Sequence, residues 1–118
     1  MNPTEINPTK MINGAMEKNR LLSAKNDEYK NLAEKKATTE RTLNVQFAKT
    51  MLDLKASGNS VTMIKDLTKG DVIVSELKYK HDIACAVFDA CRESIKDLRT
   101  QIDTYRSLLT WLREEKKG

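Results

Sequence analysis

From Val74 to Leu112 the chain advances by three residues and then by four without a break: Val74, Leu77, His81, Ala84, Phe88, Cys91, Ile95, Leu98, Ile102, Tyr105, Leu109 and Leu112. All are apolar or weakly polar except His81. A spacing that averages 3.5 residues keeps one narrow stripe on one side of a slightly underwound α-helix, and such a stripe is buried only against another helix. Composition agrees. In 118 residues, 5% aromatic and 32% charged side chains leave little for a thick core. Four glycines and two prolines supply little turn chemistry for a sheet. The expected fold is all-α.

The N-terminus repeats itself, Asn2-Pro3-Thr4 and then Asn7-Pro8-Thr9. Asparagine before proline suits a helix start, because its side-chain oxygen accepts from free amides while proline loses no hydrogen bond in the first turn. The second copy is expected to open a helix over about residues 8–56. Along it Ile12, Met16, Leu22, Tyr29, Ala33, Ala37, Leu43, Phe47, Met51 and Leu54 share a face, interrupted by Asn19, Asn26 and Glu40. Gly14 weakens the first turns by about 1 kcal/mol relative to alanine. Ser57-Gly58-Asn59-Ser60 ends this helix, with Gly58 suited to the left-handed closing position and Asn59 or Ser60 to capping the next element. A short tip helix is expected over about 61–69, and after Gly70 and the capping Asp71 a third helix over about 71–116. The whole, residues 1–118, reads as one long antiparallel helical hairpin, coiled-coil-like, with a short helix at its tip.

Folding about the tip sets Leu54 against Val74, Phe47 against His81, Glu40 against Phe88 and Asn26 against Ile102. Polar residues of the first stripe then meet large apolar residues of the second. Ile73, Ile83, Val87, Leu108 and Trp111 also widen the second stripe beyond what one partner helix covers. Assembly into a larger helical bundle is therefore expected, as a homo-oligomer, with a protein partner or both. Tyr105, Leu108 and Trp111 concentrate anchor-type side chains at one end, and together with Ile83 and Val87 they are the candidate contact residues.

Net charge is +4, and the excess lies in the first half: residues 8–57 hold ten Lys/Arg against six Asp/Glu, whereas residues 71–118 hold nine of each. Lys18, Lys25, Lys36, Lys65 and Lys69 are candidate nucleic-acid contacts. Acidic residues are threaded among them, which favours a solvated helix face, and aromatics for base stacking are scarce. The tip segment only superficially resembles the second helix of a helix-turn-helix, and its flanking helices are several times too long for one.

His81 carries two readings, a polar residue that sets register near the tip or a pH-sensitive or general-base group served by Asp82 or Asp89. No Ser/His/Asp or Cys/His set is evident, so no enzyme activity is expected. Cys85 and Cys91 lie six residues apart, about 600° of helical rotation, and cannot bond to each other within one helix. One histidine and no paired-cysteine spacing leave no ligand set for zinc, and no cofactor is expected. A polar N-terminus and the lack of any run of roughly 18 apolar residues point to a cytoplasmic chain without a membrane span.

The phrases LKASGNSVTMIKDLTKGD and ELKYKHDIACAVFDACRESI, with the run Tyr105 to Lys117, resemble a group of small helical proteins of phages and prophages, encoded among early or recombination genes. The likeness covers most of residues 40–115. It implies no catalytic residue. It implies an accessory factor, acting in the host cytoplasm on a DNA-processing or host-defence protein.

Overall fold

The structure, a computed structural model, describes residues 7–117. They form three helices, α1 (Pro8–Ala56), α2 (Val61–Gly70) and α3 (Val72–Lys117), with no strand among them. This is the expected all-α helical hairpin with a short helix between its arms, and the boundaries agree within one residue. Asn7 opens α1 as its spacing predicted, its Oδ1 accepting from the amides of Thr9 (2.9 Å) and Lys10 (3.3 Å). The first repeat, Asn2-Pro3-Thr4, lies outside the described residues.

At the far end of α1, Gly58 adopts φ +85°. That conformation lets its amide reach the Lys55 carbonyl (3.1 Å) and the Asn59 amide reach that of Leu54 (3.2 Å), a closure that satisfies two end-of-helix carbonyls. Asn59 therefore finishes α1 rather than capping α2, its Nδ2 also donating to the Leu54 carbonyl (2.9 Å). Ser60 sits at the start of α2 without a side-chain capping bond; its hydroxyl meets that of Thr62 instead (2.7 Å). Asp71 caps α3 as expected, with Oδ2 accepting from the amides of Ile73 and Val74, both at 3.1 Å.

The chain divides into two compact units. One takes in the sequence up to Tyr29 and from Ala90 onward, the other Lys30–Asp89. In each, α1 runs antiparallel to α3. In the second unit Phe47 and Leu43 line a groove with Val74 and Lys78, while Thr39 meets His81. In the first, Lys25 meets Cys91, Leu21 lines a groove with Leu98, and Gly14 lies against Tyr105.

All twelve members of the α3 stripe are buried or half-buried, Val74 and Ile102 at 2% and 3% exposure, and the rest of α3 is exposed apart from Cys85, Ser94 and Leu108. The face of α1 departs from expectation only in part: Leu22, Tyr29, Ala33, Leu43, Phe47, Met51 and Leu54 are half-buried as expected, whereas Ile12, Met16 and Ala37 are exposed. Its inward residues are Met11, Ala15, Lys18, Leu22, Lys25, Tyr29, Leu32, Lys36, Thr39, Leu43, Gln46 and Thr50, all buried or half-buried at alternating steps of four and three. Half of them are Lys, Thr or Gln, whereas Ile12 (48% exposed) and Met16 (65%) face outward. Lysine tolerates such a place because its stem packs while its ammonium reaches out. Lys36 Nζ lies 4.6 Å from the centre of the Phe88 ring, and Lys25 Nζ pairs with Glu28 at 3.0 Å. That hydrogen-bonded carboxylate holds the Lys25 ammonium above the usual lysine range.

Register differs too. His81 meets Thr39 instead of Phe47, a shift of eight residues, or about two helical turns. The cause lies at the tip. Met51, Leu52 and Lys55 line a groove with Val61 and Ile64 of α2, so the last turns of α1 cover the tip helix and pairing with α3 begins farther back. Expected clashes of polar with apolar residues thereby become a hydrogen bond at His81 and a cation over the ring of Phe88.

Candidate interaction surface

In the second unit the α1–α3 pair has two unlike edges. Along one, Thr38, Arg41, Val45 and Lys49 of α1 share a groove with Leu77 of α3. Ile73 precedes Leu77 by one turn, Val87 repeats the position of Ile73 two heptads on, and Ile83 stands one turn before Val87. By helical geometry Ile73 and Val87 flank the stripe on this side of α3 with Lys80 between them, and Ile83 lies farther round towards solvent. Val45 is 48% exposed, Ile73 59%, Ile83 45% and Val87 43%. The opposite edge carries Ser75, Lys78, Asp82 and Cys85, with Lys78 Nζ and Asp82 Oδ1 paired at 2.8 Å.

The apolar balance of this unit is unusual for a folded hairpin. Its fully buried hydrophobic residues are Ile64, Val74 and Ala84, with Leu32, Leu43, Phe47, Met51, Leu54, Leu77 and Phe88 half-buried, while ten large apolar side chains within it are exposed. Val61 and Val72 are the barest, at 81% and 82%. Scattered exposed apolar residues are ordinary, whereas several on one side of a helix pair mark an interaction surface. The first unit has the reverse balance, burying Cys91, Ile95, Leu98 and Ile102 and exposing Ile12, Met16 and Trp111.

Among the residues singled out from sequence, Ile83 and Val87 share the apolar edge. Leu108 and Trp111 belong to the other unit, Leu108 half-buried and Trp111 52% exposed. Tyr105 is half-buried, its ring seated against Gly14. Of the lysines, Lys18, Lys25 and Lys36 belong to the inward face of α1, and Lys65 and Lys69 are exposed on α2. Structure does not gather these five into one cationic surface.

A polar seam went unseen in the sequence. Thr39 Oγ1 lies 3.0 Å from both the Lys36 carbonyl and His81 Nδ1, joining α1 to α3 by a hydrogen bond. The other ring nitrogen, Nε2, lies 3.5 Å from Cys85 Sγ. His81 and Cys85 are four residues apart on one helix, and that spacing was the available signal. Asp82, the acid considered for His81, is engaged by Lys78. Both cysteines are free, and the Cys91 thiol donates to the Lys25 carbonyl at 3.7 Å.

No group of three or more His, Cys, Asp or Glu that could hold a metal ion occurs among the described residues. None of their helices is long and apolar enough to cross a membrane. Comparison with known protein families, with curated proteins and with solved structures finds no match.

Proposed function

We propose that the protein is a non-enzymatic interaction protein whose second unit pairs with another copy of itself through the edge bearing Val45, Ile73, Ile83 and Val87. The observation that carries this reading is the exposure of Val45, Ile73, Ile83 and Val87, at 43–59%, on one side of the α1–α3 pair of that unit. Ordering each residue costs about 1–2 kcal/mol of backbone entropy, and burying this edge would add to what offsets it. A second copy brings the same apolar edge, and a two-fold pairing sets that edge against itself.

The assembled pair would serve as an accessory factor of a phage or prophage in the host cytoplasm, engaging a DNA-processing or host-defence protein, in line with the resemblance described above. Support for nucleic-acid binding is thinner, since Lys25 and Lys36 are already engaged by Glu28 and Phe88.

Light scattering on the full chain tests the pairing. The expected mass is twice that of one chain, falling to one chain when Ile83 and Val87 are both replaced by lysine with helicity retained. A wild-type chain that stays single at high concentration, or a double variant of unchanged mass, rejects this edge. Tight, steeply salt-dependent binding of labelled DNA would favour the nucleic-acid reading instead.

A further inference from the structure

We propose that the groove where the three helices of the second unit meet is a docking site for an acidic peptide segment of a protein partner. That segment lays one large apolar side chain on the groove floor and turns carboxylates to Lys69 and Lys78. The proposal rests on the reading of the chain as an interaction protein but not on its pairing, because the groove lies on the polar edge, opposite Ile73 and Val87. Leu43, Asn44 and Phe47 of α1, Lys69 of α2, and Val74, Ser75 and Lys78 of α3 line about 510 Å³ of space. Burial sorts them into two kinds. Val74 is buried and Leu43 and Phe47 are half-buried, so the floor is apolar, whereas Asn44, Lys69, Ser75 and Lys78 are exposed and form a polar rim. A size within about 300–1,000 Å³, an apolar floor and a few polar groups at the margin are the usual makeup of a binding site.

Charge decides the occupant. Both charged side chains that line the groove are lysines, and they come from different helices. Lys69 has no ion-pair partner among the described residues, and exposed Lys65 stands one turn before it on α2. The acids nearby are engaged or stand off. Asp82 is paired with Lys78 at 2.8 Å, both side chains being more than half exposed, and Asp71 gives its Oδ2 to the amides of Ile73 and Val74. Asp66 and Glu40, one turn before Lys69 and Asn44, do not line the groove.

A complementary occupant therefore sets an apolar group between two anionic ones. A peptide with acidic residues on either side of a phenylalanine or leucine does so, whereas a fatty acid has a single carboxylate. A nucleic-acid strand needs open rings on which to stack its bases, and Phe47, the one ring in the lining, is half-buried. Exposed lysine–carboxylate pairs are each worth little in water, so the apolar anchor supplies most of the affinity while charge sets which segments are accepted.

The test is a titration of the isotope-labelled full chain with the capped peptide Glu-Glu-Phe-Glu-Glu, followed by amide NMR. Saturable shifts are expected at Asn44, Lys69, Ser75 and Lys78, and little change at Val45 and Ile73. A peptide with alanine at its centre should bind about tenfold or more weakly, and one with lysines in place of the glutamates should not bind. Lys69→Gln and Lys78→Gln should each weaken binding about two- to fivefold. Ser75→Phe, which fills the groove from an exposed position, should abolish the shifts at unchanged helicity. The chain carrying Ile83→Lys and Val87→Lys should bind as wild type whatever its mass, which keeps this result separate from the pairing. No saturable shift, shifts confined to other residues, equal binding of the alanine or lysine peptide, or an unaffected Ser75→Phe chain overturns the proposal. So does tighter binding of a single-stranded oligonucleotide at the same amides, which gives the groove to nucleic acid. Shifts there on concentrating the chain alone give it to a second copy and overturn the proposal as well.

Discussion

Replacing Gly14 by alanine is expected to act against the usual rule for helices. In an exposed helix interior the change gains about 1 kcal/mol, because alanine gives up less backbone freedom on folding. Here an added Cβ would lie 2.8 Å from Cζ and Oη of Tyr105 and 2.9 Å from Cε1. No real carbon approaches that closely, so the half-buried ring must leave its seat, at an overpacking cost of about 1–3 kcal/mol. The net effect runs from about neutral to a loss of about 2 kcal/mol. When Tyr105→Leu has first removed the offending atoms, Gly14→Ala should show its full gain of about 1 kcal/mol. The difference between the two backgrounds, about 1–3 kcal/mol, is the coupling of the pair. Urea unfolding followed by far-ultraviolet circular dichroism measures it, at one protein concentration throughout, since self-association adds to apparent stability. If alanine stabilises both backgrounds equally, Tyr105 does not occupy the space above Gly14.

Asp71→Ala removes the acceptor of two α3 amides and should cost about 1 kcal/mol in the same assay, while Asp71→Ser recovers most of it. The face assignment is checked by a pair of isoleucines. Ile95→Ala, at a site 7% exposed, should cost about 2–5 kcal/mol, whereas Ile12→Ala, at 48% exposure, should stay within about 0.5 kcal/mol. Equal losses at both sites would restore Ile12 to the core.

The α3 arm was legible because every inward position obeys one rule: the side chains are apolar or weakly polar, the steps alternate, and His81 is the single exception. The caps at Asn7 and Asp71 and the turn at Gly58 were legible for the same reason, each being a local device of one or two residues. The inward face of α1 was hidden because hydrophobicity is a poor guide where Lys36 packs by its stem and Thr39 by its hydrogen bonds. Register could not be read because the room taken by the tip helix depends on how Ile64 meets Met51 and Leu52, which no repeat encodes. Of the proposed interaction edge, Ile73, Ile83 and Val87 stood out as surplus to the stripe. Val45 did not, since its place follows from the true face of α1. The contact of Cys85 with His81 was missed although the two stand one turn apart on α3.

A lysine-bearing inner seam on one arm also dictates which matings are forbidden. Zipped to its twin from another chain, α1 would bring Lys18, Lys25 and Lys36 into a shared, poorly hydrated gap without the Phe88 ring that receives Lys36. The longest helix is thereby a poor adhesive for itself, and a hairpin sprung open during synthesis has a built-in reason to close on its own α3 rather than tangle with a neighbour.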